Sequence, residues 1–104
     1  MSKAKRQSNA RRSAKTKRFG KDWKRLAKSG RYPMRELKDV MTLLVDNKAP
    51  LPAQYQDHPL QGDWKDHRDC HIRGDWLLIY LIGLDKDGEF VVFVRTGTHS
   101  ELFG

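Results

Sequence analysis

Seven consecutive residues, Trp76-Leu77-Leu78-Ile79-Tyr80-Leu81-Ile82, carry no charge and no turn former. The run is far short of the ~20 apolar residues needed to cross a bilayer. It has the length and continuous apolar character of a central strand buried on both sides. Asp85-Lys86-Asp87-Gly88 follows as a turn, and Glu89 to Arg95, with Phe90, Val91, Val92, Phe93 and Val94, reads as the next strand. Residues 67–72 alternate before the run. They place His67, Asp69 and His71 on one face and Arg68, Cys70 and Ile72 on the other. Three consecutive antiparallel strands are expected.

The covering layer comes from the N-terminal half. Phe19, Trp23, Leu26 and Ala27 form a helical stripe that Gly30 stops. Pro33 opens a second helix, in which Met34, Leu37, Val40, Met41, Leu44 and Val45 recur at core-facing spacing before Asn47 and Pro50 end it. The short connection predicts an antiparallel helix pair. The expected fold is α+β, with two N-terminal helices packed on a small antiparallel sheet whose other face stays open. Between the halves, Pro50, Pro52, Pro59 and Gly62 punctuate a loop that carries Tyr55, His58 and Trp64. A loop of that length and aromatic content is expected to be functional.

Charge divides the chain of 104 residues. Residues 1–18 hold eight cations and no acid, while the other 86 hold 13 cations and all 13 acids. Residues 1–16 are therefore expected to form a basic arm, disordered or a weak edge strand, ahead of a domain over 17–104. Such an arm attracts polyanions without reading sequence. One cysteine, Cys70, excludes an internal disulfide and fits a reducing compartment. With no secretory signal and no membrane span, a cytoplasmic protein is expected.

All four histidines lie in the C-terminal half: His58 in the loop, His67 and His71 on the first strand of the meander, His99 after the last. Asp75 sits in the turn after Gly74, and Arg95 ends the last strand. Cleavage of RNA by its own 2′-OH needs a base, an acid for the leaving 5′-oxygen and a cation for the phosphorane, and these side chains supply all three. The residues propose a His/Asp/Arg cluster without establishing that its members converge. On a strand, His67 and His71 stand roughly 13 Å apart at ~3.3 Å per residue, too far for one ion. Cys70 shares the face of Ile72 and reads as core, as does Trp76, while Phe103 near the chain end is more open. The reading needs no metal and no cofactor.

Several stretches carry a resemblance. They are Met41-Thr42-Leu43-Leu44, Leu51-Pro52-Ala53, Asp57-His58-Pro59-Leu60-Gln61-Gly62, Trp64, Arg68-Asp69, His71, Asp75-Trp76, Leu78-Ile79-Tyr80, Arg95-Thr96-Gly97-Thr98-His99 and Leu102-Phe103-Gly104, with Phe19-Gly20-Lys21-Asp22 in the first helix. Over about 85 residues the chain resembles the YafQ branch of the RelE toxin superfamily. The resemblance implies a microbial-RNase-like α+β fold and a catalytic set of His58, His71, Asp75 and His99. In that set His99 is the general acid, and His71 with Asp75 handles the 2′-OH proton. It further implies that Arg95 holds the scissile phosphate, with Phe103 and Asp69 also on the substrate side. The implied partners are mRNA in the A site of the 70S ribosome, a cognate antitoxin protein and, through that antitoxin, operator DNA. The alternative is a non-catalytic RNA- or ribosome-binding protein that uses the arm.

Two features depart from that pattern. Where the family has a short apolar first strand, this chain has Arg11-Arg12-Ser13-Ala14-Lys15, which is expected to fray or be lost, and the basic arm has no counterpart. The formally neutral body is less basic than ribosome docking calls for, so the arm is expected to compensate. Deleting residues 1–10 should weaken ribosome binding and flatten its salt dependence. Unchanged affinity and slope would remove that role.

Overall fold

A computed structural model describes residues 9–104. The elements run β1 (Arg12–Lys15), α1 (Lys17–Ser29), α2 (Met34–Asp46), β2 (His58–Pro59), β3 (Arg68–Arg73), β4 (Trp76–Asp85), β5 (Gly88–Thr98) and α3 (His99–Phe103), with short 3₁₀ turns at Ala53–Tyr55 and Gly62–Trp64. Local chemistry sets the helix ends. The Thr16 side chain accepts the Phe19 N–H to start α1, and Gly30 closes it with a left-handed φ of 73°. Pro33 precedes α2, and Asn47 ends it at φ 53°.

The five strands lie in the order β1-β5-β4-β3-β2. The antiparallel meander β3–β4–β5 is present as expected, but the sheet is mixed, because β1 pairs with β5 in parallel. Of the two alternatives expected for this stretch, disorder or a weak edge strand, residues 12–15 form an edge strand. Arg12 to Lys15 face Phe90 to Phe93 although all four strand residues are exposed. With little to bury, β1 is anchored by polar contacts, including Arg11 N–H to Val45 C=O at 2.8 Å and Arg11 Nε to Glu89 at 2.9 Å. The packed unit therefore begins before residue 17. Residues 1–8, most of the expected arm, lie outside the described residues. A second correction concerns residues 50–66: His58 belongs to a two-residue strand, in register with Asp69.

Phe19, Leu26, Leu37, Val40 and Leu44 from the helices pack with Cys70, Ile72, Trp76, Leu78, Tyr80, Val91 and Phe93 from the sheet. The opposite face is not left bare. Leu77, Ile79 and Leu102 are buried there, with Leu60, Trp64 and Val94 against them. β4 thus contributes alternate residues to two cores. Leu78 has no exposed surface, so Leu78→Ala should lower the unfolding free energy by about 2–5 kcal/mol. The loss would appear as an earlier denaturant midpoint with an unchanged slope. A loss well under 1 kcal/mol would mean that β4 does not organise the core.

Candidate active site

β3 sends Cys70 and Ile72 into the helix-side core, so pleating turns Asp69 and His71 to the opposite face. The β2 register then sets His58 beside Asp69. His58 Nε2 lies 3.1 Å from Asp69 Oδ1, and the His58 and His71 rings are 6.5 Å apart. Asp69 is only 2% exposed. The His58 contact is close but poorly aligned, leaving Asp69 Oδ1 without a hydrogen bond among the described residues. Burial pushes the Asp69 carboxyl above its usual range, against the pull of His58, His71 and His99. A single buried carboxylate therefore lies within electrostatic reach of three imidazoles.

Backbone carbonyls accept but cannot donate, so they fix two tautomers. Gln56 C=O lies 2.7 Å from His58 Nδ1, and Gly74 C=O lies 3.1 Å from His71 Nδ1. Each Nδ1 carries its proton, and the Nε2 of a neutral His71 is a lone-pair base. His58 Nε2 and Asp69 Oδ1 would face each other as two lone pairs unless the pair holds one further proton.

The second cluster forms where β5 runs into α3. The Thr98 side chain accepts the Glu101 N–H, and Glu101 accepts the Thr98 N–H in return, a closed capping box that places His99 at the first helical position. His99 N–H donates to Asp75 Oδ1 at 3.2 Å, and His99 Nδ1 lies 3.6 Å from the same oxygen, an ion-pair rather than hydrogen-bond distance. Asp75 is thus the partner of His99, not of His71. Phe103, 38% exposed, stands 5.2 Å from the His99 ring and 6.2 Å from Trp64.

Of the residues singled out in the sequence, the structure gathers His58, His71 and Asp69, and beside them Asp75, His99 and Phe103. Arg95 is in cross-strand register with Asp69 through Ile79, but its guanidinium is tied up. Its Nε and Nη2 each donate to Asp22 at 3.0 Å, on the α1 side of β5, two strands and roughly 10 Å from β3. Asp69, expected on the substrate side, is sealed below the histidines. His67 turns its Nδ1 to Lys65 C=O and packs on Trp64. Cys70 and Trp76 are core as expected, and burial pushes the Cys70 thiol up. No group of three or more His, Cys, Asp or Glu among the described residues is arranged to hold a metal ion.

The sequence reading missed Asp22, 1% exposed, which accepts from Arg95, Arg25 and the Thr96 N–H. Burial alone would raise its carboxyl, but those bonds outweigh it and hold it below the usual range. Its signal was a lone carboxylate between Phe19 and Leu26 on the apolar stripe. A second polar node, also unforeseen, joins Asp57 to Tyr80 and Arg68 on the helix side.

Residues 11–104 match the family described as the bacterial toxin YafQ of type II toxin–antitoxin systems. The mRNA interferase toxin YafQ of Escherichia coli K12 is 52% identical over 86 residues, 83% of this chain and 88% of the relative. The crystal structure of YafQ from E. coli BL21(DE3) matches with a TM-score of 0.80 at 48% identity, covering 90% of this chain and 99% of that one. The toxin in the E. coli DinJ–YafQ complex gives 0.78 at 49%, with coverage of 90% and 99%.

A raised carboxyl favours folding below its ordinary range and opposes it as pH climbs through the folded value. Asp69→Asn should therefore raise the denaturant midpoint at pH 8, and the gain should shrink towards pH 4. A lower midpoint at pH 8 would show that the buried charge is compensated after all.

Proposed function

The chain belongs to the YafQ family of bacterial toxins from type II toxin–antitoxin systems, and from that premise we propose that it is a ribosome-dependent mRNA endonuclease. Its partners are then mRNA in the A site of the 70S ribosome and a cognate antitoxin, as DinJ is for the E. coli relative, with operator DNA reached through the antitoxin. Such an enzyme works in the cytoplasm. No described helix is long and apolar enough to cross a membrane.

The observation that carries the reading is the gathering of His58 and His71 over the buried Asp69, with His99 and Asp75 beside them. His71, with Nδ1–H on Gly74 C=O, offers a bare Nε2 to the 2′-OH proton. The resulting oxyanion attacks the adjacent phosphorus. His99, in its protonated form and with Nδ1 3.6 Å from Asp75, gives its proton to the departing 5′-oxygen as the P–O bond breaks. The products are a cyclic phosphate and a 5′-hydroxyl, and the chemistry needs no metal. His58 stands beside His71, its Nε2 3.1 Å from Asp69. Positive charge for the phosphorane oxygens comes from Arg95, through Nη1, the amino group that Asp22 leaves unbonded, or by leaving Asp22. Phe103, open beside His99, offers a face on which a base can stack.

His99→Ala should cut cleavage of translated mRNA by about 10²–10⁴-fold and relieve growth arrest without lowering thermal stability, since the ring is largely exposed. Transcript ends mapped after brief induction should lie only in translated frames. Full toxicity of both His99→Ala and Asp75→Ala would reject the catalytic assignment, and cuts in untranslated RNA would reject the ribosome.

A further inference from the structure

The backbone from Thr96 to His99 is held by three carboxylates from three parts of the molecule. Thr96 N–H donates to Asp22 Oδ2 at 3.2 Å, Thr98 N–H to Glu101 Oε1 at 2.8 Å, and His99 N–H to Asp75 Oδ1 at 3.2 Å. Two of the three are joined by one guanidinium. Arg25 donates from Nη1 to Asp22 at 2.7 Å and from Nη2 to Glu101 at 3.2 Å, so α1 is linked to α3. Arg95 holds Asp22 from the other side. Gly97 lies directly beneath the Arg25–Glu101 pair. A Cβ there would come 2.7 Å from Glu101 Oε1 and 3.1 Å from Arg25 Nη2.

That link is not explained by stability alone. The Arg25–Glu101 pair is about 40% exposed on each side, and such pairs contribute ~0.2–1 kcal/mol. What it can do is locate a short element. α3 has five residues, far fewer than a helix needs to hold itself, and its one buried side chain is Leu102. His99 is 62% exposed and so has little packing of its own. A general acid displaced by ~1 Å can lose on the order of 10²-fold in rate.

We infer that Asp22, Arg25 and Glu101 act as positioning residues, a brace that runs from α1 across Gly97 and sets where α3 presents His99 and Phe103. None of the three is a catalytic residue. The inference rests on the proposed role of His99, and the brace can be read separately from cleavage.

Gly97→Ala should push the Glu101 carboxylate off both Arg25 and the Thr98 N–H, and Glu101→Ala should remove it. Each is expected to slow single-turnover cleavage of ribosome-bound mRNA at saturating toxin by tenfold or more, with the half-saturating toxin concentration unchanged. The imidazole resonances of His99 should shift while those of His71 stay. Glu101→Gln keeps an acceptor for the Thr98 N–H and should recover part of the rate. Cleavage within twofold of wild type, or unmoved His99 signals, in both Gly97→Ala and Glu101→Ala would overturn the brace. A wild-type protein that cleaves nothing would overturn the proposed function instead, while the His99 signals would still decide the brace.

Discussion

β4 is buried on both faces, and the other elements are arranged by what that burial requires. Trp76, Leu78 and Tyr80 need the helices on one side, and Leu77 and Ile79 need α3 and the residue 60–64 turn on the other. Covering the second face is what brings α3, and hence His99, close to the end of β3 that carries Asp69 and His71. The site is thus a by-product of closing a small second core. Hydrophobic burial, the dominant favourable contribution to folding, fixes the frame on which less stable polar groups are set.

Two carboxylates in that frame have opposite electrostatic situations. Asp22 receives four charge-assisted or backbone bonds from three residues and is held ionised. Asp69 is as deeply buried but has an unsatisfied oxygen, and its ionised form is penalised. A fully bonded ion is a structural fastening. An under-bonded one beneath three histidines is the arrangement expected where protons move, because burial costs are tolerated where function uses them. The polar groups therefore divide: fully bonded at Asp22 between α1 and β5, under-bonded at Asp69 on β3.

Much of the fold was legible because period and punctuation are local. The apolar run, the Asp-Gly turn and the Gly30 stop each act within a few residues, and α1, α2 and the meander follow from them. β1 was legible only as a weak edge strand, because its partner is some 78 residues away and its side chains stay exposed. Its pairing is held by backbone bonds and by Arg11. The site was half legible. His58, His71, Asp75, His99 and Phe103 were named by type and place, but their pairing was not. Asp75 turned out to face His99, and Arg95 to face a carboxylate that had been counted only as part of a helix.

Hydrophobic period, turn formers and the kinds of proton-moving side chains are properties of neighbouring residues, and the sequence alone determined them: the layers, the meander and the set of candidate groups. Which group meets which depends on strand order, on the bulge at Val94 and on the depth at which each carboxylate is buried. Those are contacts between residues tens of positions apart, and their energies exist only after the chain has closed. Tertiary structure alone therefore decided that Asp69 lies beneath the histidines, that Arg95 is held by Asp22, and that Gly97 leaves room for an ion pair beside His99.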